Sequence, residues 1–106
     1  MSEWSVEYTE TAEQNLRSIY EYIAFTLLEP ETAAAQARRI MDAITELNHM
    51  PLRHPLYPKE PWQGRGLRYM PIDNYLVFYF AYEAESLVSI MSIMCGASNI
   101  AARLQF

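Results

Sequence analysis

The stretch YLVFYFAY, residues 75–82, consists entirely of aromatic and aliphatic side chains. Successive side chains of a β-strand point to opposite faces of the sheet, so this composition predicts a central strand that is covered on both faces. Residues with turn preferences flank it, at Pro71–Asn74 and at Glu83–Ser86. Beyond these turns, Leu67–Met70 and Leu87–Met94 have the composition of strands. The three strands are therefore predicted to form an antiparallel meander.

Two helices are predicted to precede the meander. Apolar side chains recur at intervals of three and four residues from Ala12 to Leu28, and again from Ala33 to Leu47. We expect Thr11 to cap the first helix, with Gln14 completing a Thr-x-x-Gln capping box. Pro30 suits the first turn of the second helix, where a missing amide hydrogen costs nothing. A short connection between two amphipathic helices predicts an antiparallel hairpin.

A short strand is predicted before the helices, because Trp4, Val6 and Tyr8 alternate with polar neighbours. The element order is then β-α-α, a loop, and β-β-β. This order predicts an α+β fold in which an N-terminal antiparallel helical hairpin packs on a small, mainly antiparallel sheet, with the first strand at its edge. The tail, residues 99–106, is expected to form a final short helix. We interpret residues 1–106 as a single domain.

Residues 51–66 are predicted to form a long irregular loop, because they contain four of the six prolines and two of the three glycines. Loops of this length are often functional. Arg53, Lys59, Arg65 and Arg68 have only Glu60 against them in this region, whereas the whole chain has a net charge of −5. Two interpretations stay open: an ordinary solvated loop, or a patch that contacts an anion or an acidic partner segment.

Several classes of protein are excluded by the composition. The apolar runs are far shorter than the roughly 20 residues that cross a bilayer, and the start, Met1 to Trp4, lacks the pattern of a secretory leader. The single cysteine, Cys95, cannot form an internal disulfide, and no Cys/His spacing resembles a zinc site. The acidic total weighs against a general nucleic-acid binder. We therefore expect a cytosolic protein without a metal or cofactor.

Four parts of the chain carry a family resemblance. They are Glu7–Thr9 with Ile19–Ile23, the second helix running into Met50-Pro51, Gly66–Arg68 with Asn74–Tyr79, and Ser98–Ile100. Together they resemble the RelE/ParE toxins of bacterial type II toxin–antitoxin modules, which include plasmid stabilisation systems, and the resemblance covers nearly the whole chain. It implies a toxin that inhibits growth and an antitoxin partner that neutralises it by binding over the sheet and helices.

The resemblance implies one of two activities, because RelE-like members cleave mRNA in the ribosome and ParE-like members inhibit DNA gyrase. A nuclease needs a base, an acid and cations at the phosphate. Arg68 matches the arginine that nuclease relatives carry at the start of this strand, and Arg65 and Lys59 are candidates to assist it. Tyr69 is a candidate for the acid or base, as is Tyr57. The alternative for Arg68 is a structural charge at a strand edge.

The expected acid–base position of a nuclease is altered in this chain. Cys95 stands where nuclease relatives carry a tyrosine or histidine, and Ser98 stands where many carry arginine. A lone cysteine at a strand end is more often a small buried apolar residue, and we expect this for Cys95. His49 and His54 titrate in a useful range, but they close a helix and lie in a proline-rich loop.

The acidic total, the incomplete acid–base set and the long hairpin favour the ParE-like, gyrase-inhibiting activity. The predicted surface for the target or antitoxin comprises Arg53, Tyr57, Trp62, Arg68, Arg103 and Phe106. The tail has an alternative role, docking onto its own sheet. Trp4, Trp62 and Phe106 are expected to add exposed apolar surface. An mRNA endonuclease and an inactive interaction module are the other two possibilities.

Overall fold

The computed structural model describes residues 3–106. Met1 and Ser2, which begin the stretch that lacks the pattern of a secretory leader, lie outside the described residues. The sheet has four strands in the order β1-β4-β3-β2. They are β1 (Ser5–Tyr8), β2 (Arg68–Ile72), β3 (Tyr75–Tyr82) and β4 (Leu87–Cys95). The meander is confirmed, because β2–β3 and β3–β4 are both antiparallel, while β1 lies at the edge and pairs with β4 in parallel.

The helical hairpin consists of α1 (Glu10–Glu21) and α2 (Pro30–Thr45). It packs on one face of the sheet, here called the helix face, and this confirms the α+β fold. The first helix does not run unchanged to Leu28 as predicted. A π-helical turn follows at Tyr22–Thr26, in which the amide of Leu27 donates to the carbonyl of Tyr22. Pro30 lies in the first turn of α2, as predicted.

The N-cap of α1 is Thr9, and the prediction of Thr11 was wrong. The Thr9 hydroxyl accepts from the amide of Ala12 at 3.1 Å and donates to the carbonyl of Ile90 at 2.8 Å. The Thr9 amide also donates to that carbonyl, at 3.0 Å. Because β1 pairs with β4 up to this point, long-range pairing fixes where the helix begins.

Strand β4 contains a bulge at Met91. Phe78 pairs with Ser92 but Tyr79 pairs with Ile90, so Met91 has no partner in the register. An extra residue reverses the alternation of side chains. Ile90 and Ile93 therefore both contribute to the helix-face core, and Met94 packs on the opposite face.

Strand β3 is covered on both faces, as its composition predicted. Val77 and Tyr79 belong to the helix-face core, whereas Phe78 and Phe80 belong to a second core. The second core lies on the other face of the sheet, here called the tail face. It includes Leu104 of the tail, with side chains of the 51–66 loop packed around it. The short helix expected in the tail is α4 (Ile100–Arg103).

The 51–66 loop is more ordered than its composition indicated. It starts with a 3-10 turn at Pro51–Arg53, bridges to β2 through Leu56 opposite Arg68, and contains a short helix, α3 (Trp62–Arg65). Gly66 ends α3 with a φ of 88°, in the left-handed region that glycine adopts at low cost. The loop therefore lies along the outer edge of β2.

The turn before β3 is shorter than predicted. Pro71 and Ile72 pair with Leu76 and Tyr75, so they belong to β2. Strand β2 is the outer strand of the meander, and a proline there removes no hydrogen bond to an inner neighbour. Within the described residues, no helix has the combined length and apolar character needed to cross a membrane.

Replacing the two threonines in turn tests this account of the helix start. Thr9→Val removes the cap and the bond to Ile90, and we expect the free energy of unfolding to fall by about 1–3 kcal/mol. Thr11→Val alters an exposed side chain and is expected to change it by less than about 0.5 kcal/mol. Urea denaturation measures both. Equal losses for the two variants would contradict the assignment of Thr9 as the cap.

Candidate functional site

Arg68 lies on the helix face of β2, beside the start of the 51–66 loop. Its Nη1 donates to the carbonyl oxygens of Leu52, at 3.2 Å, and His54, at 2.6 Å. Within residues 3–106 the ion pairs are Arg39–Asp73 and His49–Glu3, so Arg68 has no carboxylate partner there. Arg68 therefore holds the backbone of the loop against the sheet edge, which agrees with the structural alternative, although its partners are carbonyl oxygens.

Two further side chains hold the same stretch of backbone, residues 49–57, which we call the edge segment. Arg53 Nη1 donates to the carbonyl of His49 at 2.5 Å and approaches that of Met50 at 3.4 Å. The Tyr79 hydroxyl donates to the carbonyl of Pro51 at 2.5 Å. Burial raises the pKa of Tyr79 to about 12, against the opposing effect of the neighbouring arginines, so its phenol remains a donor.

His54 belongs to this group as well. Its ring stands edge-on to that of Tyr79, with 6.3 Å between centroids. Burial first, and then the positive charges of Arg53 and Arg68, lower the pKa of the imidazole. His54 is therefore neutral at pH 7. The sequence offered only weak reason to expect proton transfer by His54. In the structure its Nε2 is buried without a hydrogen-bond partner among the described residues.

The other predicted basic and aromatic residues lie on the tail face. The guanidinium carbon of Arg65 stands 4.8 Å from the centroid of the Trp62 ring, and Arg65 Nη1 donates to the carbonyl of Phe106 at 3.3 Å. Trp62 packs edge-on to Phe106 at 5.3 Å. Tyr57 packs in the same way against Tyr69, at 5.9 Å. The tail is thus docked on its own sheet, the alternative left open by the sequence.

The sheet consequently separates the predicted catalytic residues. Arg68 is on the helix face, while Arg65, Tyr69 and the exposed Lys59 are on the tail side. Tyr57 and Trp62 are half-buried members of the tail-face core. The predicted nuclease set is therefore not brought together around one point.

A separate cleft, of about 310 Å³, lies at the end of β4. Cys95, Tyr75 and Arg103 line it, together with Tyr22 of the hairpin. Cys95 is exposed, so the expectation that it is buried was wrong; it is the last residue of β4, beyond the core. Burial, and after it the electrostatic effect of the neighbouring Cys95, raises the pKa of Tyr75.

Arg103 and Ser98, noted separately in the sequence, are neighbours at this cleft. Arg103 Nη1 donates to the hydroxyl of Ser98 at 3.1 Å. Sequence reasoning missed Tyr75, although the strand register places it opposite Cys95. No group of three or more His, Cys, Asp and Glu side chains in residues 3–106 is placed to hold a metal ion.

The large exposed apolar side chains are concentrated on the helical hairpin. Phe25 is 68% exposed and Leu28 is 79% exposed. An apolar groove of about 640 Å³ runs along α1 and α2, between Phe25, Leu16 and Met41. The expectation of exposed surface at Trp4, Trp62 and Phe106 was wrong, because these side chains are half-buried against the two cores. The mostly apolar stretch at the connection between the two helices, residues 22–28, was the feature of the sequence that could have predicted this exposed surface.

Comparison with known proteins agrees with this architecture. The family model described as the ParE toxin of the type II toxin–antitoxin system, parDE, matches residues 6–100. A structure of the chromosomal ParDE system from P. aeruginosa is similar, with 20% identity, a TM-score of 0.71, and 87% of this chain and 95% of that chain covered. No curated protein sequence matches this one.

Two structures with RelE-type names also share the fold. One is from the RelBE2 toxin–antitoxin complex of Mycobacterium tuberculosis, with 21% identity, a TM-score of 0.64, and coverage of 92% of this chain and 97% of that chain. The other is a mutant of E. coli RelE in the free state, with 11% identity, a TM-score of 0.64, and coverage of 99% and 100%. At these identities the likeness is one of fold.

Arg68 and Lys59 provide a test of the structural role assigned to Arg68. Arg68→Met removes the donors to two carbonyls, and we expect the free energy of unfolding to fall by about 1–3 kcal/mol. Lys59→Met is the control, because the Lys59 side chain is exposed and makes no hydrogen bond or ion pair with another described residue; we expect a change of less than about 0.5 kcal/mol. Thermal unfolding measures both. Unchanged stability in Arg68→Met would contradict the role.

Proposed function

This chain belongs to the ParE toxin family of type II toxin–antitoxin systems, and we propose that it stops bacterial growth by binding DNA gyrase when its antitoxin is absent. The observation that carries the proposal is the separation of the candidate catalytic residues by the sheet. Arg68 donates to backbone carbonyls on the helix face, while Arg65 and Tyr69 pack on the tail side. An inhibitor that acts by binding requires no such set to converge.

The acid–base groups near Arg68 support the same proposal. Cleavage of RNA through its 2′-hydroxyl requires a base and an acid within hydrogen-bond reach of the reacting oxygens. His54 is the nearest candidate, but its Nε2 is buried and its lowered pKa disfavours the protonated form that an acid needs. The phenol of Tyr79 is engaged with the carbonyl of Pro51 and has a pKa of about 12.

A ribosome-dependent mRNA endonuclease is the second candidate, and one feature favours it. The cleft at the end of β4 brings Tyr75, Cys95 and Arg103 to one place, which offers two proton carriers and a cation. The same cleft contains the positions where Cys95 and Ser98 depart from the nuclease pattern. If this candidate is correct, Tyr75→Phe and Arg103→Gln abolish mRNA cleavage.

Two parallel assays distinguish these activities. We expect the purified protein to inhibit supercoiling by gyrase and to cause cleaved DNA–gyrase complexes to accumulate. In a translation extract, primer extension should detect no new mRNA ends. Protein mixed beforehand with its antitoxin is the control and should be inactive in both assays. Codon-positioned mRNA cleavage without any effect on gyrase would overturn the proposal in favour of the endonuclease.

The antitoxin, in this proposal, covers the apolar groove of the helical hairpin. Solved relatives include a RelBE toxin–antitoxin complex from E. coli, and a type II toxin is held inactive by such a partner. The groove is lined by apolar and aromatic side chains, including Phe25 and Met41, which are 68% and 42% exposed. An amphipathic helix buries its apolar stripe in a groove of this kind.

A pair of exposed methionines tests this surface. Met41→Glu places a charge in the groove, and we expect the dissociation constant for the antitoxin encoded beside the toxin gene to rise at least tenfold, about 1.4 kcal/mol. Met50→Glu is the matched control, because Met50 is 73% exposed but lies in the edge segment. Calorimetric titration measures both. A larger effect at Met50 would move the antitoxin surface to the edge segment.

A further inference from the structure

Among residues 3–106, His54 Nε2 is the one buried side-chain nitrogen or oxygen without a hydrogen-bond partner. Buried polar atoms nearly always have a hydrogen-bond partner, so an unpaired one beside two arginines, Arg53 and Arg68, requires an explanation. In the neutral imidazole, the unpaired atom is tolerated at a modest cost. In the protonated imidazole, both nitrogens carry hydrogen, and a buried N–H with a positive charge lacks an acceptor.

The groups that face His54 make protonation less favourable still. Arg53 approaches from its own segment, Arg68 from β2, and the phenol of Tyr79 from β3. Neither arginine pairs with a carboxylate within the described residues, so a proton on His54 adds a third positive charge to an uncompensated pair. Although the net charge of the chain is −5, no acid among the described residues forms an ion pair with His54, Arg53 or Arg68.

Contacts made by the edge segment itself resist that repulsion. Arg68 donates to two of its carbonyls and Tyr79 to a third. Farther along, the Tyr57 amide donates to the carbonyl of Leu67 at 2.8 Å, and the Tyr69 amide donates to that of Pro55 at 3.2 Å. These two amides report directly on whether the segment lies on β2.

We propose that His54 is a proton-operated latch, and that its protonation releases the edge segment from β2 and β3. Release removes the cover from the outer edge of β2 and frees the guanidinium group of Arg68 from the carbonyls of Leu52 and His54. It thereby presents an open strand edge and an unpaired cation, whereas at neutral pH both are engaged internally. The latch is independent of which target the toxin binds.

The direction of the pH effect follows from linkage. The imidazole of the closed segment binds a proton less readily than that of the released segment, whose pKa is near the ordinary value of about 6.5. The released state therefore holds more protons, and acid favours it. Closure is fully stable above the ordinary pKa and loses stability as the pH falls below it.

Hydrogen exchange followed by NMR tests the latch. Between pH 7.5 and pH 5.5, we expect the protection factors of the Tyr57 and Tyr69 amides to fall by up to about tenfold per pH unit below about pH 6.5. The Ile93 amide, which donates to Asn15 at 3.0 Å on another part of the sheet, is the internal reference and should keep its protection. A parallel fall at Ile93 would mean global unfolding and would overturn the latch.

The two histidines give a matched pair of variants. His54→Gln should abolish the acid-dependent loss of protection, whereas His49→Gln, at an exposed position beside Glu3, should leave it unchanged. Persistence of the loss in His54→Gln would overturn the proposal. If that variant fails to close the segment at any pH, Arg53→Gln decides: without this positive neighbour the closed segment tolerates a protonated imidazole better, so the acid-dependent loss of protection should move to lower pH. A loss of protection at an unchanged pH would overturn the latch.

Discussion

The hydroxyl of Thr9 joins three parts of the fold, and the placement of the helical hairpin depends on it. Thr9 directly follows β1. Its hydroxyl caps α1 by accepting from the amide of Ala12, and it donates to the carbonyl of Ile90 in β4. The bulge at Met91 comes directly after Ile90 in β4. Just beyond it, the side chain of Asn15 in α1 accepts hydrogen bonds from the hydroxyl of Ser92 and the amide of Ile93, both at 3.0 Å. A bulge leaves backbone groups outside the regular ladder. Here α1 supplies their partners, so the helix and the irregular strand stabilise each other.

That arrangement determines which residues can act together. With the hairpin on the helix face and the tail on the tail face, both faces of β3 are buried, and polar chemistry is confined to the rims. The edge segment is one rim and the end of β4 is another. Cations at the first rim are used to hold carbonyl oxygens, a bond that stabilises by about 1.5–3 kcal/mol when the donor is charged. Side chains held in this way fix the shape of a surface, which is what recognition of a protein target requires.

Much of this could be predicted from the sequence, and the exceptions have physical causes. The composition of residues 75–82 was sufficient to identify β3, because burial on both faces leaves no polar position. Local preference favours Thr11 as the cap, because Gln14 completes a capping box with it. Thr9 is the cap instead because its hydroxyl also bonds Ile90, in a strand about 80 residues away. The bonds from Gln36 and Arg39 to Asp73, at 2.8 and 2.9 Å, likewise join α2 to a turn that no local pattern connects with it.

The separation of Arg68 and Tyr69, in contrast, could have been predicted from the sequence. The two residues are neighbours in one strand, and neighbouring side chains of a strand point to opposite faces of the sheet.

The unequal distribution of charge gives these observations a common cause. Residues 1–50 carry nine acids and three bases, while the edge of β2 gathers Arg53 and Arg68 with no acid paired to either in the described residues. Backbone carbonyls can accept from guanidinium groups, but they carry only partial charge and cannot neutralise them. The cluster therefore retains positive potential beside an imidazole that must stay neutral. The edge segment and the adjacent Arg68 thus combine positive charge with an imidazole whose protonation is disfavoured.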